Sequence, residues 1–288
     1  MVAGNQGDFL GDALLCPLAQ PLAEHLNHGM QEPHLYEVPG ISGLYYFPEF
    51  LASAAQHEVM DWIDDDDRKD DWREDLKRRV LHYGWRYDYR AKTTNERLGL
   101  LPDIFSKIAG QLAELELPDG TRLFNRAPDQ VIVNEYDNSR PKDKPETQGI
   151  ALHTDRIDCF GPTVATLSLG DDWEMALQPI KETPDQARRI MLVRGSALIM
   201  TGDARFKWKH GIQPRKYEKT DEHGGRRERQ RRLSLTFRTM IDQASKQHPT
   251  RAATESGKSL RETMQEISRS AQRRGLTPEI LQSILDEK

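Results

Sequence analysis

Residues 232–238 read RLSLTFR, and strict alternation divides them between two surroundings. Successive side chains of an extended strand point to opposite sides. Arg232, Ser234, Thr236 and Arg238 therefore share one face, while Leu233, Leu235 and Phe237 share the other. On an exposed edge strand the two arginines would be ordinary surface residues. Facing inward in a layered β fold, they would be costly to bury without anions beside them. The neighbouring sequence has to decide between these readings.

From residue 130 onward the chain is a series of short β-branched or aromatic runs separated by Gly, Pro and Asp. They are QVIVNEY (130–136), TVATLSL (163–169), EMALQ (174–178), IMLV (190–193) and SALIMTG (196–202), with RLSLTFR last. Strands at this spacing predict a sandwich or jelly roll. Ahead of them, GLYYFPEF predicts a strand ending at Pro48. LASAAQHEVMDWI places Leu51, Ala55, Val59 and Ile63 at helical spacing. LPDIFSKIAGQLAELEL begins at Pro102 and carries an Ile104, Ile108, Leu112, Leu115 stripe, which predicts an amphipathic helix. The expected class is α+β: a double-stranded β-helix (jelly roll) core with supporting N-terminal helices and a helical C-terminal tail.

Composition narrows the function. Of 288 residues, 36% are hydrophobic and 30% charged, with a net charge of −5. Nucleic-acid binding must then rest on a local basic patch and not on global charge. Two cysteines, Cys16 and Cys159, argue against a disulfide framework. The most apolar early stretch is broken by Asp12, Pro17 and Pro21, which predicts neither a secretion signal nor a membrane span. The expectation is an intracellular protein, cytoplasmic or nuclear, with no membrane contact. Residues 1–40 read as a Pro-punctuated arm, 41–242 as one folded domain, and 243–288 as a polar helical extension able to meet a protein partner.

ALHTDRID (151–158) sets His153 and Asp155 two positions apart, on one face of an extended segment. That pair alone is common. A second histidine, His210, follows in RFKWKHGI, far enough downstream for a jelly roll to return the chain to the same mouth. Two histidines and one carboxylate form the facial triad of non-haem Fe(II), which leaves open positions for a cosubstrate and O₂. The arginine face of RLSLTFR then gains a purpose, since a dicarboxylate such as 2-oxoglutarate supplies the missing anions. In VNEY, Asn134 and Tyr136 share a face and offer further hydrogen bonds to such a ligand.

Taken together, NEY, LHTD, PTVATLSLG, SALIMTGDARFKWKHGI and RLSLTFR resemble the AlkB family of Fe(II)/2-oxoglutarate dioxygenases, in that family's order and across roughly residues 43–240. The resemblance implies iron bound by His153, Asp155 and His210. It implies 2-oxoglutarate with its distal carboxylate on Arg232, Arg238 near the chelating end, and Asn134, Tyr136 and Ser234 beside it. O₂ is the second cosubstrate, succinate and CO₂ are by-products, and a substrate C–H is hydroxylated. The chain leans toward the eukaryotic-type branches, including the tRNA wobble-uridine hydroxylases. It departs from the bacterial repair enzymes two residues past the metal-binding aspartate. Their base-reading carboxylate is replaced here by Ile157, with Asp158 next to it.

Two stretches carry cations suited to phosphate. LKRRVLHYGWRYDYR (76–90) interleaves them with rings and predicts substrate contacts from Arg78, Arg79, Tyr83, Trp85 and Arg86. A structural strand pair would look the same. RKYEKTDEHGGRRERQRR (215–232) is a Gly-centred loop whose later half is strongly basic, and a solvated insertion is the ordinary reading of such a loop. The expected activity is oxidation of modified or alkylated nucleic acid, RNA ahead of DNA. The alternatives are an oxygenase of a protein side chain or small molecule, and a non-catalytic regulator that keeps the fold.

Overall fold

The computed structural model describes residues 36–74, 76–139, 147–181, 187–220 and 225–241. The N-terminal arm and the helical tail expected after residue 242 lie outside the described residues.

Two antiparallel sheets face each other. The larger has six strands: β1 (Leu44–Phe47), β2 (Arg79–Tyr83), β5 (Gln130–Tyr136), β7 (Phe160–Gly170), β10 (Ala197–Met200) and β14 (Arg232–Met240). Their spatial order is β1-β10-β7-β14-β5-β2. The smaller contains β6 (Ile150–His153), β8 (Trp173–Pro179), β9 (Arg188–Leu192) and β11 (Trp208–Ile212), ordered β6-β11-β8-β9. Two hairpins complete the described strands: β3 (Trp85–Asp88) with β4 (Thr93–Arg97), and β12 (Tyr217–Lys219) with β13 (Arg226–Glu228).

RLSLTFR is therefore no edge strand. It belongs to β14, which pairs with β5 on one side and β7 on the other, and every residue of it is buried. Leu233, Leu235 and Phe237 join Val131, Val133, Leu167 and Leu169 in the larger core cluster. Helices α1 (Ser53–Asp64) and α2 (Asp103–Ala113) close that cluster with the expected stripes, Ala55, Val59 and Ile63 from α1 and Ile104, Ile108 and Leu112 from α2. A smaller cluster lies between the sheets and includes Trp173, Met175, Leu177, Leu198 and Ile212. A short helix, α3 (Gly202–Phe206), joins β10 to β11.

The acidic run after α1 forms a 3-10 helix over residues 66–71, which Asp65 caps by accepting from the Asp67 amide. Two local expectations change. The strands of LKRRVLHYGWRYDY do not pair with each other. At Gly84 (φ +76°) the chain turns out of the large sheet, and a Cβ there would meet the Asp129 carbonyl oxygen at 1.9 Å. β2 stays on β5, while β3 pairs with β4.

The basic stretch 215–232 contains a hairpin whose arginines are largely occupied within the protein. Arg227 binds Asp171 at 2.6 Å, Arg229 is buried against Glu218, also at 2.6 Å, and Arg231 joins Glu135 at 2.7 Å and Asp64 at 2.5 Å. Arg226 is exposed. A phosphate clamp built on this run would first have to break internal ion pairs.

The two faces of β14 should respond differently to truncation. Leu235→Ala is expected to cost about 2–5 kcal/mol, as buried leucines do. Ser234→Ala, one residue away on the other face, is expected to cost about 1 kcal/mol or less. Urea denaturation of the two variants measures the contrast.

Candidate active site

The polar face of β14 looks onto a cavity of about 460 Å³. Arg232, Ser234, Thr236 and Arg238 line it from β14, Asn134 and Tyr136 from β5, and His153, Asp155 and His210 from the smaller-sheet side. Arg232 is only 1% exposed. Its Nε and Nη2 donate to the Ser168 hydroxyl at 3.0 and 2.7 Å, and its guanidinium sits 5.4 Å from the Tyr136 ring centre. Among the described residues no carboxylate pairs with it. Burial pushes its pKa down to about 10, so it remains a cation at neutral pH. A buried guanidinium held by one neutral hydroxyl is a site for an anion.

Pairing of β6 with β11 sets His153 opposite His210, with ring centres 4.5 Å apart. Asp155 follows two residues later in the loop after β6, and its Oδ2 lies 3.5 Å from His210 Nε2. The possible ligand atoms of the three residues lie within 4.8 Å of one another, and they are the only such cluster among the described residues. His153 Nδ1 is 2.9 Å from the Ala151 carbonyl oxygen. If Nδ1 carries the proton and donates there, Nε2 is left as the lone-pair donor.

The Asp155 carboxylate is divided between two tasks. Oδ1 accepts from Arg238 Nη2 at 2.5 Å, whereas Oδ2 is buried without a hydrogen-bond partner. Burial alone would raise its pKa, but Arg238 and the two imidazoles outweigh it and hold the carboxyl well below the usual carboxylate range. Burial, with His153 beside it, pushes His210 down to about 3. The site therefore offers neutral nitrogen and ionised oxygen donors around an orphaned buried oxygen. That donor set fits a divalent metal of the iron type.

The residues expected to meet substrate separate. Arg78 lines the cavity, and its Nε donates to Asn134 Oδ1 at 2.7 Å. Arg79, its neighbour, points to the opposite face, where its Nη2 donates to Glu135 at 2.9 Å and its guanidinium stacks on Trp72. Tyr83 lies against Trp62 and Phe105, and burial pushes its pKa up to about 12. Strand alternation on β2 explains why both leave the cavity side. Trp85 packs against Cys159, Phe160 and Met240, and Arg86 is exposed and paired with Glu96. The rings of the 76–90 stretch that line the cavity are Tyr87 and Tyr89, joined there by Lys92 and Arg156. The i, i+2 spacing of the two tyrosines was the available signal for them. Ile157 is 62% exposed, next to the Arg156–Asp158 ion pair.

A jelly roll whose mouth holds two histidines, an aspartate and a buried unpaired arginine defines a 2-oxoglutarate-dependent iron oxygenase. Residues 43–238 match the 2OG-Fe(II) oxygenase superfamily, and the chain belongs to it, as an AlkB-type dioxygenase using Fe(II), 2-oxoglutarate and O₂. The chain is 34% identical over 177 residues to "Uncharacterized protein L905" of Acanthamoeba polyphaga mimivirus, covering 61% of this chain and 76% of the viral one. It is 29% identical over 182 residues to the mouse "tRNA (carboxymethyluridine(34)-5-O)-methyltransferase ALKBH8", covering 61% of this chain but only 25% of the mouse protein. The Arabidopsis thaliana "Alkylated DNA repair protein ALKBH8 homolog" is 28% identical over 216 residues, 69% of this chain and 58% of the plant protein. The solved structure of OsALKBH1 superposes with a TM-score of 0.52 at 20% identity, covering 70% of this chain and 99% of that one. No helix among the described residues is long and apolar enough to cross a membrane.

The His210 environment predicts a pH slope in the metal-free protein. Above pH 6.5 His210 is neutral in both folded and unfolded chains and contributes none. Below it the unfolded imidazole takes a proton that the folded one refuses until about pH 3. Stability should fall by roughly 1 kcal/mol per pH unit between about pH 6 and 5 from this group, before Asp155 begins to titrate in either state. His210→Asn should remove that component. Urea denaturation of metal-free wild type and variant across this range measures the difference in slope.

Proposed function

We propose that this chain oxidises modified or alkylated nucleic acid, RNA ahead of DNA, by hydroxylating a C–H bond at the cavity mouth. The observation that carries the cosubstrate assignment is the buried Arg232 guanidinium, which has no carboxylate partner among the described residues. In this reading His153, Asp155 and His210 hold the iron. Arg232 takes the far carboxylate of 2-oxoglutarate, and Asn134, Tyr136 and Ser234 line its course. Arg238 keeps Asp155 ionised and turned toward the metal.

Bound there, iron with 2-oxoglutarate and O₂ would supply the oxidising chemistry, one oxygen atom of O₂ going to the substrate C–H and the other to the succinate that leaves with CO₂. The protein orients the target carbon and limits water around it. If that carbon is an N-methyl, the hydroxylated product collapses to formaldehyde and the free nitrogen. If it is a methylene, the alcohol persists.

Nucleic acid is favoured by the surroundings of the cavity. Tyr87 and Tyr89 line the same cavity as Arg78, Lys92 and Arg156. Rings that stack bases and cations that meet phosphates are the elements of single-strand binding. Relatives whose names concern tRNA and alkylated DNA point the same way. A second reading, oxidation of a protein side chain or a small molecule, is supported by the internal pairing of Arg227, Arg229 and Arg231. Little of the basic hairpin is left for a phosphate backbone.

The test incubates the full chain with Fe(II), ascorbate and 2-oxoglutarate, presenting total tRNA and methylated single-stranded RNA and DNA. Nucleosides are then read by mass spectrometry, with His153→Ala alongside. The expected outcome is a methylated or wobble nucleoside consumed by wild type and spared by the variant, with turnover falling as salt rises. Succinate formation with every nucleoside unchanged would leave the iron chemistry standing and discard the substrate class. Arg232→Met is expected to lower succinate formation at least tenfold and to abolish the rise in melting temperature on adding 2-oxoglutarate.

A further inference from the structure

Arg205, on α3, is 2% exposed and has no carboxylate partner among the described residues. Its Nη1 donates to the Asp155 main-chain carbonyl at 2.8 Å, and its Nη2 to the Arg156 carbonyl at 3.4 Å. Its Nε is buried with no hydrogen-bond partner. The guanidinium lies 5.3 Å from the Phe206 ring centre. A buried cation spent on two neutral carbonyls is an expensive way to satisfy main chain that a neutral side chain could serve. The two carbonyls belong to one candidate metal ligand and the residue after it.

Asp155 needs such support because it lies outside the ladder. β6 ends at His153, and residues 154–156 have no regular structure. Arg238 fixes one carboxylate oxygen, but a side-chain contact alone leaves the backbone beneath it free to rotate. Arg205 reaches that backbone from a separate support. The Thr201 and Ala204 amides of α3 and its N-cap donate to the carbonyls of Gly43 at 2.8 Å and Ser42 at 3.0 Å, beside β1. The Arg156 carbonyl also accepts from the Phe160 amide at 3.1 Å, closing the turn on the far side. Asp155 is thus held by its carbonyl from α3 and by its carboxylate from β14, and the unpartnered Oδ2 is left facing His210.

We propose that Arg205 is a positioning residue that presents Asp155 to the metal by clamping the Asp155–Arg156 main chain to α3. The proposal rests on the metal-site reading above, and its test reads metal binding in place of turnover. Metal-free full-length chain is titrated with Co(II) while its visible absorption and its melting temperature are followed. Wild type, Arg205→Met and Arg205→Lys are compared, with Arg194→Met as the control for loss of an exposed arginine. Arg205→Met is expected to bind Co(II) at least tenfold more weakly with an altered visible spectrum. Arg205→Lys should recover part of the affinity, because its ammonium can still reach a carbonyl, and Arg194→Met should match wild type.

Unchanged cobalt affinity and spectrum in Arg205→Met would overturn the proposal, even with a lower melting temperature, since the arginine would then serve stability alone. If Arg205→Met does not fold, Arg205→Lys decides. A weakened and spectrally altered Co(II) site supports the clamp, and a wild-type site refutes it. A wild-type chain that binds no Co(II) would instead overturn the metal-site reading itself.

Discussion

Strand β14 lies between two different interiors, and its alternation has to satisfy both. One face packs on the helices with Leu233, Leu235 and Phe237, and the other lines the cavity with Arg232, Ser234, Thr236 and Arg238. A slip of one residue would push guanidinium groups into the helix-covered core and leucines into the cavity. The register against β5 and β7 therefore admits no neighbouring alternative. Gly170 shows how close the fit is at the strand's start. It pairs with Arg232 at φ +83°, and a Cβ there would meet the Arg231 carbonyl oxygen at 2.5 Å.

Charge is balanced differently in two parts of the same molecule. In the hairpin region buried or half-buried arginines have carboxylates in contact, Arg229 with Glu218, Arg227 with Asp171 and Arg231 with Glu135. Around the cavity the balance is reversed. Arg78, Arg205, Arg232 and Arg238 are all buried, yet among the described residues only Arg238 has a carboxylate partner, Asp155. The excess of cation is local, since the whole chain carries −5. A cavity left electropositive inside an acidic protein selects anionic ligands, which is what a dicarboxylate and a phosphate-bearing substrate both are.

Local pattern was sufficient where a residue's neighbours in sequence were also its environment. RLSLTFR announced its two faces by alternation alone, and the α1 and α2 stripes appeared where periodicity put them. The triad was legible through the spacing of His153, Asp155 and His210, read together with the arginine face. What stayed hidden depended on distant partners. Nothing near Arg227 or Arg231 indicates that Asp171 and Asp64 will neutralise them. Nor does the run 76–90 show which face of β2 carries Arg79 and Tyr83, or that the chain leaves the large sheet at Gly84 before Tyr87 and Tyr89 line the cavity. Arg205 lies within SALIMTGDARFKWKHGI, but its contacts depend on α3 meeting the Asp155 loop, which no local pattern shows.

The course of β14 also explains why the two ends of the cavity differ. Arg238 reaches Asp155 of the His–Asp–His cluster, whereas Arg232 donates among the described residues to the neutral Ser168 hydroxyl. Six residues of extended chain separate their Cα atoms by about 20 Å, and the side chains between them on that face are the small Ser234 and Thr236. Large cations at the ends and small hydroxyls in the middle leave a trough along the strand. One end of that trough is already neutralised by Asp155 and the other is not. In the proposed reading a dicarboxylate lies there with one end toward the metal and its free carboxylate on Arg232. A monocarboxylate could reach either end but not both. The preference for a second carboxylate far from the metal would then follow from the place of Arg232 on the strand, with no need for a residue dedicated to rejecting shorter acids.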